Sequence, residues 1–219
     1  MSPELIGLLW QSCLETFYMV AVSSIVSFAL GVPLGVLLTV TGKGHIKENL
    51  TLNLGAGAAI NAVRSTPFII LMVAIVPFTR WVAGTSIGTS AAIVPLTVSA
   101  TPFVARIVES ALKEVPHGVV EAALSMGATP LEVICKVLLP EALSGIILGL
   151  TLTIVSLIGY SAMAGVIGGG GLGDLAIRYG YQRFEVNVMI ATVAILILIV
   201  QLVQSFGDFL SRKTDKSRL

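Results

Sequence analysis

Charged residues divide this chain into blocks. Residues 16–42, 65–79, 81–105, 142–173 and 186–207 contain no Asp, Glu, Lys or Arg. A helix needs about 20 apolar residues to cross a bilayer. The second block is too short alone, but AGAAINAV before Arg64 extends it by two turns. None of the blocks alternates as barrel strands do, and only helices or closed barrels satisfy their backbone in lipid. The pattern predicts an all-α membrane protein with five transmembrane helices, near residues 17–41, 57–79, 87–106, 142–166 and 186–209. Residues 107–141 are left as a cytoplasmic segment. A single transmembrane domain covers 1–219, with no internal repeat and no soluble domain.

Composition agrees: 55% of the 219 residues are hydrophobic and 11% are charged, against about 25% charged in soluble domains. The first fifteen residues hold no Lys or Arg, so the start does not read as a signal peptide. Ser2 to Tyr18 mixes Leu5, Ile6, Leu8, Leu9 and Trp10 with Glu4, Gln11 and Glu15. That mixture predicts a helix lying in the interface, with Trp10 at headgroup level.

Basic residues set the orientation. With the C-terminus inside, one face holds Lys43, Lys47, Arg64, Arg106, Lys113, Lys136, Arg212, Lys213, Lys216 and Arg218; the other holds Arg80, Arg178 and Arg183. The bias puts the N-terminus outside and the C-terminus in the cytoplasm. Arg64 and Arg106 are expected to snorkel from helix ends, and the tail SRKTDKSRL to be a solvated end at the inner leaflet. A net charge of +1 gives no reason to expect nucleic acid. Cys13 and Cys135 fall on opposite membrane faces, which argues against an intrachain disulfide.

Inside the spans, Pro33 and Pro95 are candidate kinks. The pairs Gly31/Gly35 and Gly145/Gly149 have the GxxxG spacing that lets helices approach closely. Gly42 suits the left-handed position just past the first helix. The spans carry no carboxylate or histidine for a coupling proton, which disfavours a proton-driven secondary carrier. No metal cluster or nucleophile–base pair is visible, which disfavours a membrane enzyme. The run GGGGLG (168–173) satisfies GxGxxG in form only, because it follows a membrane helix rather than the strand of a nucleotide-binding unit. It predicts a flexible or tightly turned outer loop, with Asp174 capping a short interfacial helix, LAIRYGYQRF.

The polar island between the third and fourth spans reads as helix, turn, helix. Gly118 to Met126 is the first helix, and Gly127 suits the left-handed residue that ends it. Thr129 fits the N-cap of the second, Pro130 its first position and Glu132 its third, where a capping box closes. Leu131, Ile134, Cys135, Leu138 and Leu139 form the expected apolar face, and Pro140 is expected to stop the ladder before the fourth span. Glu121 offers a carboxylate, and the small pair Ala122-Ala123 allows close approach. On residues alone, this hairpin either receives a partner or merely lies on the inner leaflet.

Glu121-Ala122-Ala123, three residues, Gly127, nine residues, Val137, one residue, then Leu139-Pro140 resembles the EAA loop of ABC importer permeases, with Val137 in place of the usual Ile. Residues 61–80, 101–129 and 161–184 are similar to the permeases of methionine importers, the last segment being the most discriminating. The resemblance implies a type I ABC importer permease in the bacterial inner membrane. It implies a homodimer that forms the path, two separate ATPase subunits below, and a substrate-binding lipoprotein outside. ATP and Mg would sit on the ATPase, with no cofactor on this chain and no enzyme activity of its own. Glu121, Ala122, Ala123, Gly127, Leu139 and Pro140 would couple to the ATPase. The family lines its path with the fourth span, where Ser156, Tyr160, Ser161 and Met163 become candidate substrate contacts. The implied substrate is L-methionine, with D-methionine, another amino acid or a small solute left open.

Overall fold

The computed structural model describes residues 3–214, so Ser2 and the tail residues Lys216 and Arg218 lie outside it. Among the described residues every element is helical. The helices are α1 (Pro3–Val40), α2 (Leu50–Arg64), α3 (Phe68–Ala74), α4 (Val76–Ala83), α5 (Thr89–Lys113), α6 (His117–Ser125), α7 (Pro130–Glu132), α8 (Leu139–Val166), α9 (Gly171–Leu175) and α10 (Val186–Thr214). Wider π-helical turns, Val133–Leu138 and Ala176–Tyr181, follow α7 and α9. Four helical stretches are long and apolar enough to cross a membrane, and five if the bent pair α2–α3 counts as one broken span.

The glycine pairs pack as their spacing predicts. A Cβ on Gly31 or Gly35 of α1 would lie 2.6 Å from atoms of Val104, Ala105 or Val108 on α5. Gly149 of α8 sits against Ile107 on the next face of α5, and Gly145 faces Ala111. α5 is therefore the central post, held by α1 on one side and α8 on the other. Two apolar clusters fill the joints. Met19, Leu96, Leu157, Leu172 and Val188 anchor the outer one. Val104, Val108, Leu112, Val133, Leu138 and Ile146 anchor the cytoplasmic one. Cys13 and Cys135 are both free thiols.

Several expectations are corrected. Ser2–Tyr18 does not form a separate interfacial helix: from Pro3 the chain is one uninterrupted helix to Val40. Its inward residues Thr16 and Met19 are buried while Trp10 is 67% exposed, so packing against α9 holds the first turns in line. Residues 57–79 are not one helix. α2 stops at Arg64 and α3 departs at 102°. Pro67 explains the break, since the residue before a proline is pushed out of the helical region. Past α1, Gly44 rather than Gly42 takes the left-handed conformation, because the Thr41 N–H donates to the Leu37 carbonyl and the Gly42 N–H to the Thr39 carbonyl, both at 3.1 Å, and carry the helical turn past Val40.

The glycine run is a buried turn rather than a loose loop. Gly168, Gly170 and Gly171 have φ of 90°, 78° and 77°, a region closed to most side chains. Asp174 does not cap the following helix; it pairs with Arg178 one turn on. The caps come from α1 instead. The Glu15 carboxylate accepts the Gly171 N–H at 2.8 Å, and the Thr16 hydroxyl oxygen accepts the Leu172 N–H at 2.9 Å. Leu172 and Leu175 are almost fully buried, so this helix belongs to the core and not to the interface.

Candidate functional site

The island folds as a knob whose every turn is locally satisfied. α6 starts after Pro116 and ends at Ser125, with Met126 as its C-cap. Gly127 follows with φ 86°. Its N–H donates to the Leu124 carbonyl at 2.9 Å, and the Ala128 N–H donates to Ala123 at 3.1 Å. These two bonds are the Schellman pair that closes a helix end. At Thr129, two residues past Gly127, the expected capping box begins: Glu132 N–H to the Thr129 hydroxyl, and Thr129 N–H to the Glu132 carboxylate at 3.0 Å. Lys136 adds an ion pair to Glu132 at 2.9 Å.

Pro140 does not end the ladder. From Pro130 to Val166 the chain stays helical, with the wide turn Val133–Leu138 just ahead of the proline. Proline lacks an N–H and its ring collides with the carbonyl four residues back. A π turn moves that carbonyl aside and lets the helix continue. The change of register also alters the apolar face. Val133 and Leu138 are buried, whereas Leu131 is 72% exposed and Cys135 points outward.

The two alanines of the island have opposite surroundings. Ala123 is buried in the cytoplasmic cluster with Leu112, Val133 and Leu138. Glu121 and Ala122 are exposed, and Glu121 has no hydrogen-bond or ion-pair partner among the described residues. Val119, Leu124 and Met126 are exposed beside them. The knob thus has a rooted inner face and a free, largely apolar outer face around one carboxylate. A cleft of about 310 Å³, lined by His45, His117 and Glu121 among others, separates it from the loop after α1. The imidazole rings of His45 and His117 lie 5.6 Å apart. Burial first, then the charges of His117 and Lys113, hold the His45 pKa below its ordinary value.

Behind the knob lies a charge network that the sequence reading missed. Glu109, 6% exposed, accepts from Arg106 and from Lys113, both at 2.6 Å. Arg106 also donates to the Gly57 carbonyl at 3.1 Å and the Asn61 amide oxygen at 3.0 Å. It does not snorkel, because α2 offers it acceptors within the bundle. The spacing 106/109/113 on one helix face was the available signal. This network clamps α2 to the end of α5 that feeds the knob.

Half-way along α5 and α8 is a cavity of about 190 Å³, lined by Arg64, Thr66, Phe68, Phe103, Ser156 and Tyr160 among others. Tyr160 stacks on Phe68 with ring centroids 4.7 Å apart and planes 8° from parallel. The Ser156 hydroxyl donates to the Leu152 carbonyl of its own helix at 2.9 Å. Of the four candidates on the fourth span, Ser156 and Tyr160 line this cavity. Ser161 is buried with its hydroxyl on the Ile158 carbonyl at 2.7 Å, and Met163 is exposed nearer the outer end.

A family model described as the binding-protein-dependent transport system inner membrane component matches residues 31–216. The chain belongs to that family. The permease is 59% identical over 208 residues to a probable D-methionine transport system permease protein of Vibrio cholerae, covering 95% of this chain and 92% of the relative. It is 52% identical over 165 residues to the D-methionine transport system permease protein of Escherichia coli K12, covering 75% and 76%. It superposes on a chain of the inward-facing MetNI methionine ABC transporter with TM-score 0.96 and 48% identity, covering 98% of this chain and 99% of the other. An amino acid ABC transporter at 21% identity and TM-score 0.75 shares the fold. The permease is therefore an inner-membrane transport component rather than an enzyme, and its helices are those of an ABC importer permease.

Proposed function

We propose that this permease imports methionine as a homodimer, driven by two ATPase subunits that bind its knobs and supplied by a binding protein outside. The observation that carries the reading is the 48% identity over nearly the full chain to the permease of a methionine ABC transporter. The outer face of α2 supports a second copy, since Gly55, Ala58 and Ala59 leave a small, exposed surface for close helix approach.

Glu121, Ala122, Ala123 and Gly127 form the coupling helix and the turn that locks it, with Leu139 and Pro140 in the helix it drives. ATP and Mg bind on the ATPase. Ala122 and Glu121 meet the ATPase, and Ala123 roots the helix in the permease. ATP-driven closure of the ATPases shifts the knob; the capped second helix, continuous with α8, carries that motion to the cavity. The path alternates between two states that the distant nucleotide biases. Ser156 and Tyr160 contact substrate in the path, Met163 serves the outer end, and Ser161 fixes the local helix.

The test is uptake into proteoliposomes holding permease and ATPase, with the binding protein added outside. L-methionine accumulates only with ATP inside, and D-methionine is measured alongside. Accumulation of a different amino acid in preference to methionine would overturn the substrate, and uptake without ATP would overturn the mechanism.

A further inference from the structure

Arg64 is the one charged residue lining the mid-membrane cavity. Among the described residues it makes no hydrogen bond or ion pair; its guanidinium lies over the Phe103 ring, 5.9 Å from the centroid. Arg64 is exposed toward that cavity, and an unpaired cation between membrane helices marks a functional position. It also sits where the span breaks, between α2 and α3. Transporters place substrates near the bilayer midplane, where broken helices line the path. Cavity, break and unpaired cation therefore coincide.

We propose that Arg64 clasps the α-carboxylate of the transported amino acid. Contact with the face of Phe103 leaves the N–H groups at the guanidinium edge free for a bidentate carboxylate. Ser156 spends its proton on Leu152, so its oxygen lone pairs remain to accept from the α-ammonium group. The stacked Phe68 and Tyr160 rings offer the aromatic contact that a thioether favours. The site thus reads the zwitterion with polar groups and the side chain with rings. The clamp of Arg106 on Gly57 and Asn61 holds the same helix that ends at Arg64, so the knob and this contact share α2.

This assignment rests on the amino-acid importer reading, and its test separates the two. Radiolabelled methionine binding to the purified permease–ATPase complex is measured against unlabelled methionine and methioninamide, which lacks the carboxylate. The Arg64-dependent component of binding is the wild-type signal minus that of Arg64→Gln. It should prefer the acid over the amide by about tenfold or more. Arg64→Lys, which keeps the charge but not the fork, should retain part of that preference and stands in if Arg64→Gln fails to assemble. Equal preference for the acid in wild type and variants would overturn the clasp while leaving methionine as substrate. Binding of another amino acid would overturn methionine, and the same acid–amide comparison on that amino acid would then decide the clasp. A complex that binds no amino acid would overturn both.

Discussion

The knob and the mid-membrane cavity are made in opposite ways. The knob is a run of 24 consecutive residues, 117–140, in which each turn is specified by its own neighbours: a Schellman glycine, a capping box, an N1 proline. The cavity draws Arg64, Phe103 and Tyr160 from three helices. A part that must move as a unit has its geometry written locally. A part that must open and close is assembled from elements free to shift against one another.

Breaking the link between the two regions should have the largest effect. Arg106→Ala leaves Glu109 buried with Lys113 alone and frees Gly57 and Asn61 from α5. Removing one partner of a buried pair costs about 3 kcal/mol, which thermal unfolding of the purified permease should register, together with loss of uptake. Equal stability would mean that the clamp carries no load.

The alanine pair sharpens the comparison within the knob. Ala123→Leu overpacks the root against Val133 and Leu138, with an expected cost of about 2 kcal/mol. Ala122→Leu projects outward and should leave the permease's own stability unchanged while weakening ATPase association. Pull-down of the ATPase by each variant separates the roles; the reverse ranking of stability would invert the assignment of faces.

The smallest effect concerns His45. Its folded pKa lies below the ordinary 6.5, so the unfolded chain binds more protons in that window. Stability is present above 6.5 and is lost as pH falls through the lowered folded value. Acidification should loosen the loop after α1 from the knob, read as faster proteolysis near residues 42–49. His45→Gln should remove that pH dependence, and an identical acid response in the variant would exclude His45 as its source.

What was legible in the sequence follows the same division. The caps at Gly127 and Thr129 are local rules, and both are present. The glycine pairs announced the α1–α5 and α5–α8 joints because close approach needs them wherever the partner lies. Of the missed features, the caps of the glycine turn needed a distant partner. Glu15 and Thr16 cap a helix 156 residues away, so no local pattern pointed to them and Asp174 seemed the natural cap. Residues 57–79 looked like one span because Pro67's break is a fact of geometry, not of hydropathy. Pro140 looked like a stop because a π turn leaves no mark in composition.

The central claim is that the knob transmits work as a rigid piece, locked at its middle by the Gly127 turn. Gly127→Leu places a side chain at φ 86°, a conformation that costs a branched residue about 1–2 kcal/mol, so the Schellman closure is lost while the chain still inserts. Methionine uptake and ATP hydrolysis are measured together on the reconstituted complex carrying this variant. The account predicts that hydrolysis continues while uptake collapses. Normal uptake by the variant would contradict it.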